Sequence, residues 1–329
     1  MGGRDAPHRP VLLRETIQFL EVARGGLFVD GTLGLGGHSE AILNASAETR
    51  VIGIDLDSAS LSLAKERLAP YGKRFRAVQT NFRDIVRVLA ECGERDPSGV
   101  MVDLGVSSLQ LDSPTRGFSF RFDAPLDMRL DAEGSGETAA DLLLTLSEAE
   151  IARIIFEFGE ERRSRRIARR IVERREQGQP VATTADLADL VAKAVGYNKS
   201  QRIHPATRTF QALRIAVNQE LEGLGRFVET AVGLLQPDGH FLAICFHSLE
   251  DRIIKRELRR LAGYCQCSAR LPVCSCGARR AVEILTRRPI TADEAEIVEN
   301  PRARSAKLRA GRKLHSGQER LEAFTPVSR

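Results

Sequence analysis

The sequence has no apolar run of the length a membrane-spanning helix needs, about 20 consecutive residues, and Met1–Pro10 carries no secretory apolar core. Met1-Gly2 does not open a myristoylation signal, because Ala6 stands where Ser or Thr is required. No internal repeat, heptad run or self-complementary patch is visible, so the oligomeric state is not legible. These absences lead to the expectation of a cytoplasmic protein with no membrane partner, whose six cysteines are reduced. Charge of one sign is also lacking: the net charge is only +5, and its distribution says more than its total. The 329 residues suit one large domain or two smaller ones with ample core.

A further absence narrows the ligand. Gly26–Val29 is apolar, ends in Asp30, and leads into Gly31-Thr32-Leu33-Gly34-Leu35-Gly36-Gly37-His38 before a helical pattern begins near Ser39. An α/β sheet presents nucleotide-like ligands on such a turn, where the backbone approaches closely and the helix start offers unpaired N–H groups. The dinucleotide fingerprint G-x-G-x-x-G fails because Ser39 stands in place of the third glycine. Asp30 would also repel a pyrophosphate. A cofactor with a ribose, no phosphate and a positive charge fits better, and S-adenosylmethionine is such a cofactor.

Two more apolar runs end in acids. Arg50–Asp57 reads as a buried strand whose carboxylates, Asp55 first, lie where ribose hydroxyls are received. Gly99–Val102 leads to Asp103, at the strand end where doubly wound sheets place reacting groups. Between them, Phe75–Thr80 forms a third strand before Phe82, which is either a face for adenine or a core aromatic.

The βα alternation stops near Gln110. Ser113 to Thr209 reads as a helical insertion, giving a Rossmann-like sheet domain over 1–112 and 210–329 and an inserted helical domain over 113–209. A Ser147/Glu150 capping box opens one of its helices. Glu161–Arg175 is a second helix, with Ile167 and Ile171 as an apolar seam and arginines around the rest, of which Arg165 and Arg169 suit phosphate contact. A third helix, Pro205 to about Leu221, carries Arg208 and Arg214 on its polar face. Strands return at Gly239–Phe246, Val282–Leu285 and Ala306–Leu308, and Arg302–Arg320 forms a basic tail. Phe118, Phe120 and Phe122 alternate as a core-facing strand would, or as a stacking surface for bases. Cys265-x-Cys267 and Cys274-x-Cys276 can supply four thiolates to a structural zinc.

The glycine turn, Asp103-Leu104-Gly105-Val106-Ser107-Ser108, Arg116-Gly117-Phe118-Ser119-Phe120-Arg121-Phe122-Asp123, Pro125–Arg129, His204–Arg214, Phe246–Arg252 and Asn300–Ser305 resemble the ribosomal RNA small subunit methyltransferase H family. The likeness spans nearly the whole chain. It implies a Rossmann-like S-adenosylmethionine-dependent sheet, and methyl transfer to the exocyclic N4 amine of a cytosine in the decoding region of small-subunit (16S) RNA. The substrate the resemblance implies is that RNA, whether naked, in a precursor particle or in the finished small subunit. By the same resemblance the cofactor contacts are Gly36, Gly37, His38, Asp55, Phe82, Asp103 and Gln110.

Cytosine's amine is a poor nucleophile, and an acceptor for its N–H favours attack. The Asp/Asn-Pro-Pro-aromatic motif common among amine methyltransferases is absent; Asp103-Leu104-Gly105-Val106 stands there instead. Asp103 is the best-placed carboxylate, either as that acceptor or as a cofactor ligand. Ser107 can accept through its hydroxyl or cap a turn. His247 and Ser248 follow a strand end within reach of a base, or open a helix with Ser248 as cap and Asp251 three residues on. His204, Arg208 and Arg214 can grip RNA. Two other readings compete: a nicotinamide-dependent oxidoreductase, disfavoured by the missing glycine, and a non-catalytic ribosome-assembly factor with a retained cofactor pocket, disfavoured by the intact Gly36, Gly37, Asp55 and Asp103.

Overall fold

The computed structural model describes residues 10–196, 204–265, 267 and 280–315. Contacts divide the chain into two compact units, one joining the residues up to Gly105 to those from Gly223 onward, the other being Val106–Glu222.

In the first unit the apolar runs become strands: β1 (Gly26–Asp30), β2 (Thr49–Asp55), β3 (Phe75–Gln79), β4 (Gly99–Asp103), β5 (His240–Cys245), β6 (Val282–Ile284) and β7 (Lys307–Lys313). They form one sheet in the order β3-β2-β1-β4-β5-β7-β6. β1 to β5 pair in parallel, and β7 runs antiparallel to both of its neighbours. Both faces are covered, so the central strands are apolar throughout and their side chains alternate between two cores. Leu27, Val29, Val100, Val102, Phe241 and Ala243 pack with the helices Ile85–Cys92, Leu224–Leu234 and Ser248–Leu261. Phe28, Met101, Leu242 and Ile244 pack with Gly37–Ala45 and Ser58–Leu68. Strand order reverses between β1 and β4, and a ligand crevice opens outside the carboxyl ends of strands at such a switch point. Asp30 and Asp103 end those two strands.

β7 is longer than the Ala306–Leu308 read from sequence. It runs to Lys313 because β5 pairs with it from His240 to Cys245. Its buried Arg309 is offset by Asp251, with Nε–Oδ1 2.6 Å and Nη2–Oδ2 3.2 Å.

The second unit is built on the helices Ala139–Thr145, Glu148–Gly159, Ser164–Glu176, Thr184–Val195 and Ala206–Asn218 around a core of its own. The Ser147/Glu150 capping box is present. The boundaries 113–209 fall inside this unit, which is wider on both sides. The Ala206–Asn218 helix crosses residue 209 without a break, and its Phe210 and Leu213 lie in the second core. The alternating phenylalanines form no strand. Phe118 is buried in the core, Phe120 is half-buried against Phe210 (centroids 5.1 Å apart), and Phe122 is 47% exposed.

Candidate active site

The glycine turn is held from three directions, each reaching a strand end. Asp30 is buried and fully engaged: Ser39 Oγ–H donates to Oδ2 at 2.7 Å and Thr32 N–H to Oδ1 at 3.2 Å. Asp55 Oδ2 accepts Gly34 N–H at 2.6 Å, and Oδ1 accepts Asp57 N–H at 2.9 Å. Thr32 Oγ1 accepts the main-chain N–H of Asp103 at 2.6 Å, tying the turn to β4. Thr32 was not singled out by sequence reasoning. No local pattern marks a bond across 71 positions.

The glycines do two kinds of work. A Cβ on Gly36, at φ +78°, would stand 2.9 Å from Leu68 Cδ1, and one on Gly37 would stand 2.4 Å from Pro10 Cγ. These two are required by the chain's own packing. At Gly34, φ +51°, a Cβ would meet nothing closer than Thr32 O at 4.0 Å, so here the left-handed backbone is the constraint.

The acids at the strand ends share an electrostatic character. Burial pushes Asp30 and Asp55 up to about 6 and holds Asp103 well above the usual carboxylate range. Neighbouring carboxylates push Asp55 and Asp103 further the same way: Asp57 and Asp30 for the former, Asp30 and Glu250 for the latter. Asp103 Oδ1 is buried with no hydrogen-bond partner among the described residues, although 24% of the side-chain surface stays exposed. Such a group of carboxyls is stabilised as anions by a cation. A ligand carrying an ammonium, a sulfonium and ribose hydroxyls fits this set of acceptors, since Asp55 keeps lone pairs beyond those its two N–H bonds occupy.

His38 is buried, and burial lowers it to about 4, so it is neutral near pH 7. Its Nε2 lies 2.9 Å from the Val11 carbonyl and its Nδ1 3.8 Å from Asp103 Oδ2. The Phe82 ring meets Phe227 edge-on at 4.7 Å and carries the Arg83 guanidinium 5.4 Å from its centre. It therefore packs partly into the core.

His247, not Ser248, caps the helix Ser248–Leu261, and Glu250 rather than Asp251 takes the third position. The expected cap is shifted by one residue because the strand stops at Cys245 and His247 is still extended, at φ −139° and ψ 166°. Glu250 N–H lies 3.5 Å from His247 Nδ1, and Nε2 lies 3.1 Å from Glu250 Oε1. Nδ1 is thus engaged by the Glu250 main chain, whereas Nε2 is buried with no hydrogen-bond partner among the described residues. Glu250 Oε2 also accepts Phe246 N–H at 2.8 Å. Asp251 is committed to Arg309.

In the second unit, Ser107 caps the helix Ser108–Asp112 in a reciprocal box with Gln110, Ser107 N–H to Gln110 Oε1 at 2.9 Å and Gln110 N–H to Ser107 Oγ at 3.2 Å. Gln110 is buried there. His204 Nδ1 accepts Ala206 N–H at 3.2 Å, and its ring packs 5.0 Å from Phe120. Arg214 forks onto Glu220 with two 2.8 Å bonds, both side chains largely buried. Arg208 is exposed, 3.6 Å from Glu161.

The arginine helix divides. Arg175 Nη1 donates to the carbonyls of Leu143 (3.0 Å), Leu144 (2.8 Å) and Leu146 (2.8 Å), and Arg174 pairs with Asp186 at 2.9 Å. Arg165 and Arg166 are exposed and make no ion pair among the described residues, and Arg169 reaches Glu148 only at 3.9 Å. The cationic surface is the amino-terminal half of the helix. Of the cysteine cluster, Cys274 and Cys276 lie outside the described residues, and Cys267 N–H lies 3.3 Å from Cys265 Sγ. No described helix is long and apolar enough to cross a membrane.

A model of the MraW methylase family matches residues 5–314. Curated relatives named ribosomal RNA small subunit methyltransferase H include one from Geobacter sulfurreducens, 53% identical over 309 residues that cover 93% of this chain and 99% of the relative. One from Geotalea uraniireducens is 50% identical over 312 residues, covering 94% and 99%. One from Anaeromyxobacter sp. is 51% identical over 308 residues, covering 93% and 98%.

Proposed function

The chain belongs to the MraW methylase family, and from that premise we propose that it transfers the methyl group of S-adenosylmethionine to the exocyclic N4 amine of a cytosine in the decoding region of small-subunit ribosomal RNA. The observation that carries this reading is the buried Oδ1 of Asp103, at the end of β4 beside the switch point, which has no hydrogen-bond partner among the described residues.

Bound S-adenosylmethionine supplies an electrophilic methyl group on a cationic sulfur. Asp55 would receive the ribose hydroxyls through its remaining lone pairs, and the glycine turn, fixed by Asp30, Asp55 and Thr32, would offer its backbone to the cofactor. An anionic Asp103 beside the attacking amine would stabilise the positive charge that develops on its nitrogen. Asp103 Oδ1 is also the acceptor for the amine N–H, favouring the pyramidal nitrogen needed for attack, and it takes the proton once the N–C bond has formed. His247 is a second candidate acceptor in this reading, since its Nε2 is buried with no hydrogen-bond partner among the described residues although it lies 3.1 Å from Glu250 Oε1.

The target cytosine must leave its stack to react. Arg165 and Arg169 contact phosphates of the surrounding RNA, whereas Arg174, Arg175 and Arg214 serve the fold. Incubation with methyl-labelled S-adenosylmethionine and small subunits lacking the modification tests the proposal. Label should enter the RNA. Cofactor binding with no label in RNA under any assembly state would instead favour an assembly factor that does not catalyse.

A further inference from the structure

Two contacts tie the start of the described chain to the glycine turn, and a third anchors it to the helix Glu294–Glu299. Pro10 fills the space beside Gly37, its Cγ 2.4 Å from where a Cβ would stand. The Val11 carbonyl lies 2.9 Å from His38 Nε2. Leu12 N–H donates to Glu296 Oε1 at 2.7 Å, across 284 positions of sequence. Leu12 is fully buried and sits at φ +53°, a region that a bulky side chain occupies only when its surroundings hold it there. The bond to Glu296 and the buried side chain are such restraints.

A carbonyl can only accept, so His38 Nε2 carries the ring proton and Nδ1 presents a lone pair. That lone pair stands 3.8 Å from Asp103 Oδ2. Two acceptors so close repel each other unless a donor joins them. A primary ammonium, with three N–H donors, can satisfy both at once.

We propose that Pro10–Leu12 is a positioning strap that holds His38 as a hydrogen-bond acceptor beside Asp103, so that the pair selects a ligand bearing a primary ammonium. The inference rests on the reading of the glycine turn as the cofactor site. Glu296 is then a positioning residue, acting through Leu12 and Val11 on a ring it does not touch. Without the strap the imidazole could present an N–H toward Asp103, and the ammonium would lose one of its two acceptors. Burial of His38 works in the same direction, because it disfavours a doubly protonated ring.

Calorimetric titration with S-adenosylhomocysteine, which carries the amino-acid ammonium, and with 5′-methylthioadenosine, which lacks it, tests the strap. Glu296→Ala is expected to weaken S-adenosylhomocysteine by about tenfold, the scale of one lost hydrogen bond, and to leave methylthioadenosine unchanged. Glu296→Gln keeps an oxygen for Leu12 N–H and should retain wild-type affinity for both. Nitrogen-15 NMR of the imidazole should show a protonated Nε2 and a bare Nδ1 at His38 in the wild type, and mixed tautomers in Glu296→Ala. Equal losses for the two nucleosides, no loss for either, or a wild-type ring protonated at Nδ1 would overturn the strap. If the wild type binds neither nucleoside, the cofactor reading itself fails, and the tautomer measurement still decides whether Val11 fixes the ring.

Discussion

The main-chain N–H of Gly34 donates to Asp55 Oδ2 at 2.6 Å, so the residue at the carboxyl end of β2 also sets the curvature of the glycine turn. If Asp55 holds the cofactor as proposed, cofactor affinity and loop geometry are coupled through one carboxylate. Asp55→Ala should weaken S-adenosylhomocysteine by more than about tenfold and lower stability by about 1–3 kcal/mol, because the N–H groups of Gly34 and Asp57 lose their acceptor. Calorimetry and thermal unfolding check the two effects separately. A variant with weakened binding and unchanged unfolding would show that the turn does not depend on Asp55.

Asp103 should behave in the opposite way. Its side chain is strained electrostatically and Oδ1 has no partner among the described residues. Asp103→Ala is expected to abolish turnover and weaken cofactor binding without lowering the unfolding temperature. A loss of stability would assign it a structural role instead.

The pH dependence follows from the buried acids. Asp30 and Asp55 are raised from the ordinary carboxylate value of 3.8 to about 6 in the fold. Between those values the folded state holds more protons than the unfolded state, so these two groups lower stability as pH rises from about 4 to about 6. His38, lowered from 6.5 to about 4, runs the other way over nearly the same interval and partly cancels them. Ligand affinity gives the cleaner readout. A cationic ligand binds the ionised acids, so affinity for S-adenosylhomocysteine should fall as pH drops below about 6, with protons released on binding in that range. Titration in buffers of different ionisation enthalpy measures the release, and a pH-independent affinity would contradict the account.

The two halves of the arginine helix should separate. Arg165→Ala with Arg169→Ala is expected to weaken RNA binding and reduce the slope of log affinity against log salt by about 1–2. Arg175→Ala should leave that slope unchanged and lower stability, because the carbonyls of Leu143, Leu144 and Leu146 share its Nη1 donor. Salt-series binding assays and thermal unfolding distinguish them. A salt slope unchanged in the double variant would remove this helix from the RNA surface.

Much of the sheet was legible because parallel strands buried on both faces are written as unbroken apolar runs, as in Gly99–Val102 and His240–Cys245. β7 was only partly legible: Lys307, Arg309, Arg312 and Lys313 give it the look of a basic segment, and only its pairing with β5 and β6 reveals the strand. The three phenylalanines misled for the converse reason, since an alternating pattern sits there in a loop held by tertiary packing. The acids of the site were visible one by one as strand ends. Their mutual electrostatics, the bond from Asp103 to Thr32 and the bond from Leu12 to Glu296 were not, because each joins residues far apart in sequence. Arg214 and His204 were read as RNA contacts because exposed polar faces invite it. Their present partners, Glu220 for the one and Ala206 N–H and Phe120 for the other, are tertiary facts.

The most direct test of the central claim is the identity of the methylated nucleoside. Small subunits lacking the modification would be treated with the protein and S-adenosylmethionine, and their RNA digested and resolved by mass spectrometry. The account predicts N4-methylcytidine arising from one position in the decoding region, and none with Asp103→Ala. Methyl groups on a ring carbon or a ribose hydroxyl, or an active Asp103→Ala protein, would contradict it.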